Sequence, residues 1–566
     1  MYIDAERIRG TNDVMVWCRD DKGTLYTYQD TMKHYCYVES PKGEYQSIFG
    51  HKLARVDFDT WGAFERYKQS KSNLFESDIN SIYKYLSDTF HDASPGTLNV
   101  GLFDIEVYPN LEAGKGYPIH DDPHGYINSI SLFDRTKQVY HLFLLDSDHI
   151  TVQSPDGLPV EHHYHSQEIH LLYDFFHTIK PIDILSAWHG DGFDIPYMIA
   201  RTAMLLGPNA TRHFCRSDFR PIARTLNDDY GNEETRYMLV GRPHIDMLKA
   251  YKKFTFEERP SYKLDSIAEE EVGERKTEYS GDLGRLYNED RQTFYDYSLR
   301  DTYLLKKLDD KLRHIDLVVT MARQASVRFN DVFGSIRYLE HTILNYCHFH
   351  KDPMLIVPDK KDHLREAFPG ALVFKTMTGV HGWSTSIDLT SLYPSVIMAL
   401  GISPESIVMQ CESRGEDFVR IVERQETMVT VVVRNNLTDE RESFTISARE
   451  LDDVIRSNGY TLSANGTIFD GRGGIIPEVI RLWFETRKQL KDRMKVCAKA
   501  GDHEGEKFYD MRQHIQKINL NSLYGMLANP FSRFFDIEMA RSITLTGQEI
   551  AKHQTRMADE IVRGAV

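Results

Sequence analysis

At 566 residues, with 41 % apolar and 27 % charged residues, the chain has the make-up of an ordinary globular protein and can bury several cores. A net charge of −16 argues against a protein that coats nucleic acid nonspecifically, though not against an enzyme whose basic residues line one groove. The six cysteines are scattered without a CxxC, no run of about 18 apolar residues occurs, and the first seven residues lack an apolar core. These features predict a reducing, cytoplasmic compartment with no disulfide framework, membrane span or signal peptide.

Residues 1 to about 98 mix short β-like runs, such as 14–17, with aromatic-rich loops. Residues 98–106 read as a buried strand, and a second strand over 182–188 ends at Trp188. Helical patterns run over 167–179 and 290–312, so a mixed α/β domain is predicted up to about residue 313. Cys347, His348 and His350 have no second ligand pair at zinc spacing, which predicts no metal there. Asp359-Lys360-Lys361-Asp362 predicts a boundary. The run Ser386-Ile387 reads as a strand that ends at Asp388, with Thr390, Ser391 and Pro394 marking entry into a helix. A β-rich stretch follows, clearest over 428–433. Two helices are predicted next: 477–499, with Pro477 in its first turn, and 504–524, with Gly525 as its stop.

Chemistry concentrates in a few places. Asp388 sets one carboxylate beside the free N–H groups of a helix start, which suits a hard cation and a phosphate. On the first late helix, Arg487 and Lys491 share a face; an anion between them would relieve a repulsion of roughly 0.2–0.5 kcal/mol. On the second, Lys517, Asn521 and Tyr524 share a face, and Gly525 permits a close approach. In the amino-terminal half, Asp104 and Glu106 point to the same side of one strand. Asp194 lies in the Trp188–Tyr197 segment, and Tyr297 and Asp301 stand at i, i+4 on one helix. Four acids and a phenol can hold two metal ions and orient a water. Basic residues also cluster at Arg212, Arg216, Arg220 and Arg224. From Tyr251 to Phe256, aromatic and basic residues alternate, as in a surface that stacks bases and attracts phosphates.

DLTSLYPS (388–395) and KINLNSLYG (517–525) resemble motifs A and B of family B DNA polymerases. The contexts FPGALV (368–373) and GISPESI (401–407) resemble the replicative polymerases of T-even-type bacteriophages. Asp104-Ile105-Glu106, Asp194 and the Tyr297–Asp301 pair resemble the Exo I, Exo II and Exo III motifs of the 3′→5′ proofreading domain. The resemblance implies an α/β multidomain protein. Its parts would be an N-terminal domain (1–98, rejoined by 314–359), a ribonuclease-H-like exonuclease (99–313), palm (360–473), helical fingers (474–529) and a second palm segment from 530. It implies Asp104, Glu106, Asp194 and Asp301 as ligands of two Mg²⁺ or Mn²⁺ ions, with Tyr297 positioning the water. Asp388 would hold Mg²⁺ in the polymerase site. Leu389, Ser391, Leu392, Tyr393, Arg487, Lys491, Lys517, Asn521, Tyr524 and Gly525 would bind the dNTP, Tyr393 excluding a 2′-hydroxyl. Lys252, Lys253, Phe254 and Phe256 would belong to a strand-transfer hairpin. The implied partners are primer-template and single-stranded DNA, with a sliding clamp and other replisome proteins.

Two departures stand out. His189 follows the Exo II Trp where the family usually has Asn, which bears on the primer end. No Asp-x-Asp occurs after Asp388, so motif C is not found; Asp536-Ile537-Glu538 matches a connecting strand instead. Three readings follow: the large part of a split polymerase completed by a second chain with motif C and thumb, a standalone 3′→5′ exonuclease, or a DNA-binding remnant. Intact exonuclease acids disfavour the last, and intact triphosphate-binding residues favour the first over the second.

Overall fold

The computed structural model describes the chain except residues 92–95, 110–116, 228–232, 256, 280, 362–366, 376–377, 381, 383–386, 390, 436–439 and 565–566. It is mixed α/β and forms two compact units: Met1–Met32 with Ile82–Phe333, and Lys33–Ser81 with Gly334–Val566. The first 98 residues are thus divided between the units rather than gathered in one. Among the described residues, no helix is long and apolar enough to cross a membrane.

The first unit is built on a six-stranded mixed sheet. Its strand order is Val160–His165, Val139–Leu145, Tyr126–Asp134, Val100–Tyr108, Ile184–Ala187, His244–Asp246. The predicted strands over 98–106 and 182–188 are the fourth and fifth of these. The 100–108 strand runs antiparallel to 126–134 and parallel to 184–187, so it is central and buried, which explains its apolar run. The register with 126–134 shifts between Glu106 and Val107, a bulge directly beside the acidic pair.

The two faces of this sheet are covered differently. Phe103 and Phe143 pack on Phe175 of the helix Glu168–Thr178. The opposite face, which carries Asp104, is covered by the helix Arg291–Leu312, capped by Asp290 through Thr293 N–H at 3.1 Å. Ser298 Oγ meets Ser129 Oγ at 2.8 Å, and Thr302 Oγ1 donates to Ser131 O at 3.2 Å. Four residues of helix advance about 6 Å and two of strand about 6.8 Å, so the two contacts lock the helix in register on the strand. Ser129 and Ser131 pair with Glu106 and Asp104, so that register decides what stands over the acids.

The second unit holds a five-stranded antiparallel sheet in the order Arg441–Ser447, Met428–Arg434, Ile407–Cys411, Thr467–Asp470, Tyr460–Leu462. Its core includes Cys411, Val431, Leu451 and Ile468. The two predicted late helices are present as Ile475–Ala500 and His503–Leu527, a helical hairpin turned at Gly501 with φ 70°. Tyr338 of the helix Ser335–Phe349 donates to Asn519 Oδ1 at 2.8 Å and so ties down the second arm.

Several expectations need correction. Gly525 does not stop its helix, which runs to Leu527: buried Leu523, Met526 and Leu527 keep the helical period past it. Residues 536–538 are not a strand. Asp536 Oδ1 accepts from Glu538 N–H at 2.8 Å and starts the helix Ile537–Gly564. Ile387, Asp388 and Leu389 are not in a strand either, since no neighbouring strand among the described residues offers them a ladder; Ser386 and Thr390 lie outside the described residues. The helix expected after them is present as Leu392–Leu400. Finally, Tyr251 to Phe254 is helical, not a hairpin. Asp246 caps the helix Met247–Phe254 by accepting from Lys249 N–H at 3.0 Å, and Met247, Ala250, Tyr251 and Phe254 form its buried face.

Candidate active site

Strand, helix start and covering helix converge on one acidic site in the first unit. Ligand oxygens of Asp104, Glu106 and Asp301 all lie within 4.8 Å of one another. Alternation along the 100–108 strand puts Asp104 and Glu106 on one face, and the serine-locked helix brings Asp301 down onto it. Asp194, the first residue of the helix Asp194–Leu206, joins them: its carboxylate lies near enough to raise Asp104 and Glu106 and to feel the Ile105 backbone N–H between the pair. Glu106, Asp194 and Asp301 are buried, and Asp104 is half-buried.

So many carboxyls in so little space cannot all ionise cheaply. Burial first, then the neighbouring Asp301, Asp194 and Glu106, raises Asp104 well above the usual carboxylate range. Burial and Asp301, against the pull of Lys276, push Glu106 up to about 8. Burial, opposed by His244, pushes Asp194 up to about 7. Burial also raises Asp301, although Lys276 holds it down.

Lys276, which the sequence did not single out, also stands in this cluster. Its Nζ donates to Asp301 Oδ2 at 2.5 Å and to the Tyr297 hydroxyl at 3.1 Å. Burial lowers its proton affinity, but Asp301, Tyr297 and Asp104 more than offset this and keep it charged. Lys276 sits in a stretch with no periodicity, so no sequence signal distinguishes it. Tyr279 packs edge-on against Tyr297 at 5.3 Å and backs the same corner.

The residues fit a hard divalent cation. The acids outnumber the single nearby lysine, they are destabilised as anions, and the buried Oδ1 of Asp301 has no hydrogen-bond partner among the described residues. The turn that delivers Asp194 is built to order. His189 adopts φ 63°, and a Cβ on Gly190 would stand 2.5 Å from the buried His244 ring and 2.8 Å from Ala187 Cβ, so a side chain there would disturb the turn. Asp191 pairs with His244 at 2.8 Å and with Lys249, and Asp246 accepts its N–H at 3.0 Å.

Other predicted residues lie elsewhere. Lys252 projects to solvent with its ammonium 4.8 Å from the Tyr262 ring centroid, whereas Lys253 donates to Phe333 O and Phe254 is in the core. A stacking surface is therefore not formed by Tyr251 and Phe254; Phe256 lies outside the described residues. An antiparallel hairpin does occur in this unit, between Ile222–Asn227 and Glu233–Met238.

In the second unit, Asp388 is exposed and makes no ion pair among the described residues, with Leu389 half-buried next to it. Ser391, at φ 55°, leads the Leu392–Leu400 helix without capping it by its side chain, which leaves first-turn N–H groups open to an anion. Tyr393 lies against Tyr524, ring centroids 4.7 Å apart, and against Gly547, where a Cβ would come within 3.1 Å. On the hairpin, Arg487 Nε donates to Gln513 Oε1 at 3.3 Å. Lys517 and Arg487 both help burial lower His514, so the cations share one region; Lys491 is a turn further along. Asn521 is exposed, and nothing lies within 4 Å of the space a Cβ would fill at Gly525.

Comparison with known proteins agrees with this layout. A family model described as DNA polymerase family B matches residues 336–565, and one described as DNA polymerase family B, exonuclease domain, matches residues 55–267. The DNA-directed DNA polymerase of Escherichia phage RB69 is 26 % identical over 94 % of this chain and 63 % of its own length. That of Enterobacteria phage T4 is 26 % identical over 97 % and 65 %. The DNA polymerase delta catalytic subunit of Oryza sativa subsp. japonica is 26 % identical over 68 % of this chain and 32 % of its own. The chain thus spans less than two thirds of the length of each of these relatives. With both models placed in chain order over most of its length, the chain belongs to family B of the DNA polymerases.

Proposed function

We propose that the first unit is a 3′→5′ DNA exonuclease of ribonuclease-H-like build, and that the second carries part of a DNA polymerase site. The observation that carries the nuclease reading is the convergence of Asp104, Glu106 and Asp301 within 4.8 Å, with Asp194 close enough to act on Asp104 and Glu106. Two divalent cations, Mg²⁺ or Mn²⁺, would supply a metal-activated water and neutralise charge on the scissile phosphate. Asp104, Glu106, Asp194 and Asp301 are the residues to hold them. Tyr297 stands one helical turn before Asp301 and would orient the attacking water through its hydroxyl. Lys276 fixes that hydroxyl and Asp301 together, and its charge would help offset negative charge that builds at the phosphate.

In the polymerase half, the 360–473 and 474–529 segments correspond to palm and fingers on this reading. Arg487, Lys491 and Lys517 would neutralise the triphosphate of a dNTP, and Asn521, Tyr524 and Gly525 would face the new base pair. Tyr393, braced by Tyr524 and Gly547, would sit beneath the sugar. Asp388 supplies one carboxylate, and no Asp-x-Asp follows it among these 566 residues. The reading therefore requires the second metal anchor from outside them, as from a second polypeptide bearing motif C and thumb. A sliding clamp belongs to the same replicative setting.

The test is digestion of single-stranded DNA by the purified 566-residue protein with Mg²⁺ or Mn²⁺. Wild type should degrade it, and Asp104→Ala with Glu106→Ala should abolish degradation. Undiminished cleavage by the folded double variant would sink the nuclease assignment.

A further inference from the structure

On the sheet face turned away from the four acids, a second group of ligating side chains comes together. Phe103, Leu132, His141 and Glu161 form one cross-strand row, so His141 and Glu161 lie on the face of Phe103, opposite Asp104 and Glu106. His163, two residues after Glu161 on the edge strand, shares that face. His141 Nδ1 lies 3.3 Å from His163 Nε2 and 3.2 Å from Glu161 Oε2.

The protons at this cluster are constrained. His163 Nδ1 meets Asp174 Oδ2 at 2.9 Å, and a carboxylate only accepts, so that nitrogen carries the hydrogen. In a neutral His163 ring, Nε2 then turns a lone pair toward His141. Glu161 turns another there. One proton on His141 Nδ1 would have to serve both acceptors.

The spacing fits a metal better. Tetrahedral zinc with bonds of about 2.0–2.1 Å sets its ligand atoms about 3.3–3.4 Å apart. Asp174 behind His163 is the carboxylate partner that usually orients a ligating imidazole. We propose that His141, Glu161 and His163 form a binding site for a divalent transition-metal ion of the zinc class, separate from the carboxylate site on the other face. Two imidazoles and one carboxylate favour such an ion over Mg²⁺ or Ca²⁺. Burial, ahead of the opposing effect of Glu161, lowers His141 below its ordinary value, which keeps the ring neutral as a ligand must be. Glu161 is 61 % exposed, so the fourth position opens to water.

The test uses the full 566-residue protein with Asp104→Ala and Glu106→Ala, so that the acidic site does not contribute, and with Mg²⁺ in excess. Calorimetric titration with Zn²⁺ should show one saturable equivalent, and Co²⁺ should give the intense visible bands of a four-coordinate nitrogen-ligated ion. Glu161→Gln, at an exposed position that leaves folding intact, should weaken Zn²⁺ at least tenfold, and His163→Ala should abolish the bands. Asp174→Asn should weaken binding roughly 10- to 100-fold. Absence of a stoichiometric equivalent, or one that persists unchanged in Glu161→Gln and His163→Ala, would overturn the site.

Discussion

Neutralising one acid of the proposed nuclease site should stabilise the metal-free protein while destroying the proposed activity. Glu106 ionises at about 8 in the fold against an ordinary 4.5, because burial and Asp301 outweigh Lys276, with Asp194 adding to the repulsion. A carboxyl raised in the fold binds its proton more tightly folded than unfolded. It therefore costs nothing below the unfolded value, and its penalty grows as pH rises from about 4.5 to about 8. Were Glu106 alone responsible, that interval would correspond to roughly 4–5 kcal/mol. Because Asp104, Asp194 and Asp301 share the repulsion, protonating one relieves the rest, and roughly 2–4 kcal/mol is expected for Glu106→Gln. In chelator at pH 8.5, Glu106→Gln should raise the melting temperature of the first unit by about 5–12 °C. At pH 4.5 the gain should vanish, and with Mg²⁺ present it should shrink or reverse, since wild type then has its ion. A variant no more stable than wild type at pH 8.5, or equally stabilised at both pH values, would refute the electrostatic account.

Lys276→Met should lower single-strand hydrolysis roughly 10²-fold with DNA affinity little changed, because it removes the charge that holds Tyr297 and Asp301 together and would offset charge at the reacting phosphate; pre-steady-state kinetics with a binding titration separate the two. Gly190→Ala should push the buried His244 ring, displace the turn before Asp194, and reduce hydrolysis while circular dichroism stays that of wild type. In any polymerase assembled around the second unit, Tyr393→Ala should raise ribonucleotide incorporation strongly, and an unchanged dNTP/rNTP preference would make Tyr393 a packing residue.

The strands and helices that carry the acids of the candidate site were legible because each obeys a strong local rule. The 100–108 strand is an apolar run with two acids in alternation, and the 291–312 helix begins at a capping Asp290 and keeps Tyr297 and Asp301 in step. What escaped depends on distant partners. Lys276 acquires its role only because the covering helix brings Asp301 and Tyr297 to it. Tyr251 to Phe254 offered both a period of two and a helical period, and the cap at Asp246, five residues earlier than Tyr251, settled it as a helix. His141 and His163 lie 22 positions apart on two strands, so parallel register, not spacing, creates the group with Glu161. The strand expected before Asp388 failed for the converse reason: a strand is made by its neighbours, and none pairs with it among the described residues.

The most direct measurement follows both ends of one single-stranded oligonucleotide during digestion by the purified protein with Mg²⁺. The account predicts that a 3′-terminal label is released first, as a 5′-mononucleotide, while the 5′-labelled strand shortens one residue at a time. Both signals should be absent in Asp104→Ala/Glu106→Ala. Release of the 5′ label first, internal cuts, or unchanged products from the double variant would contradict it.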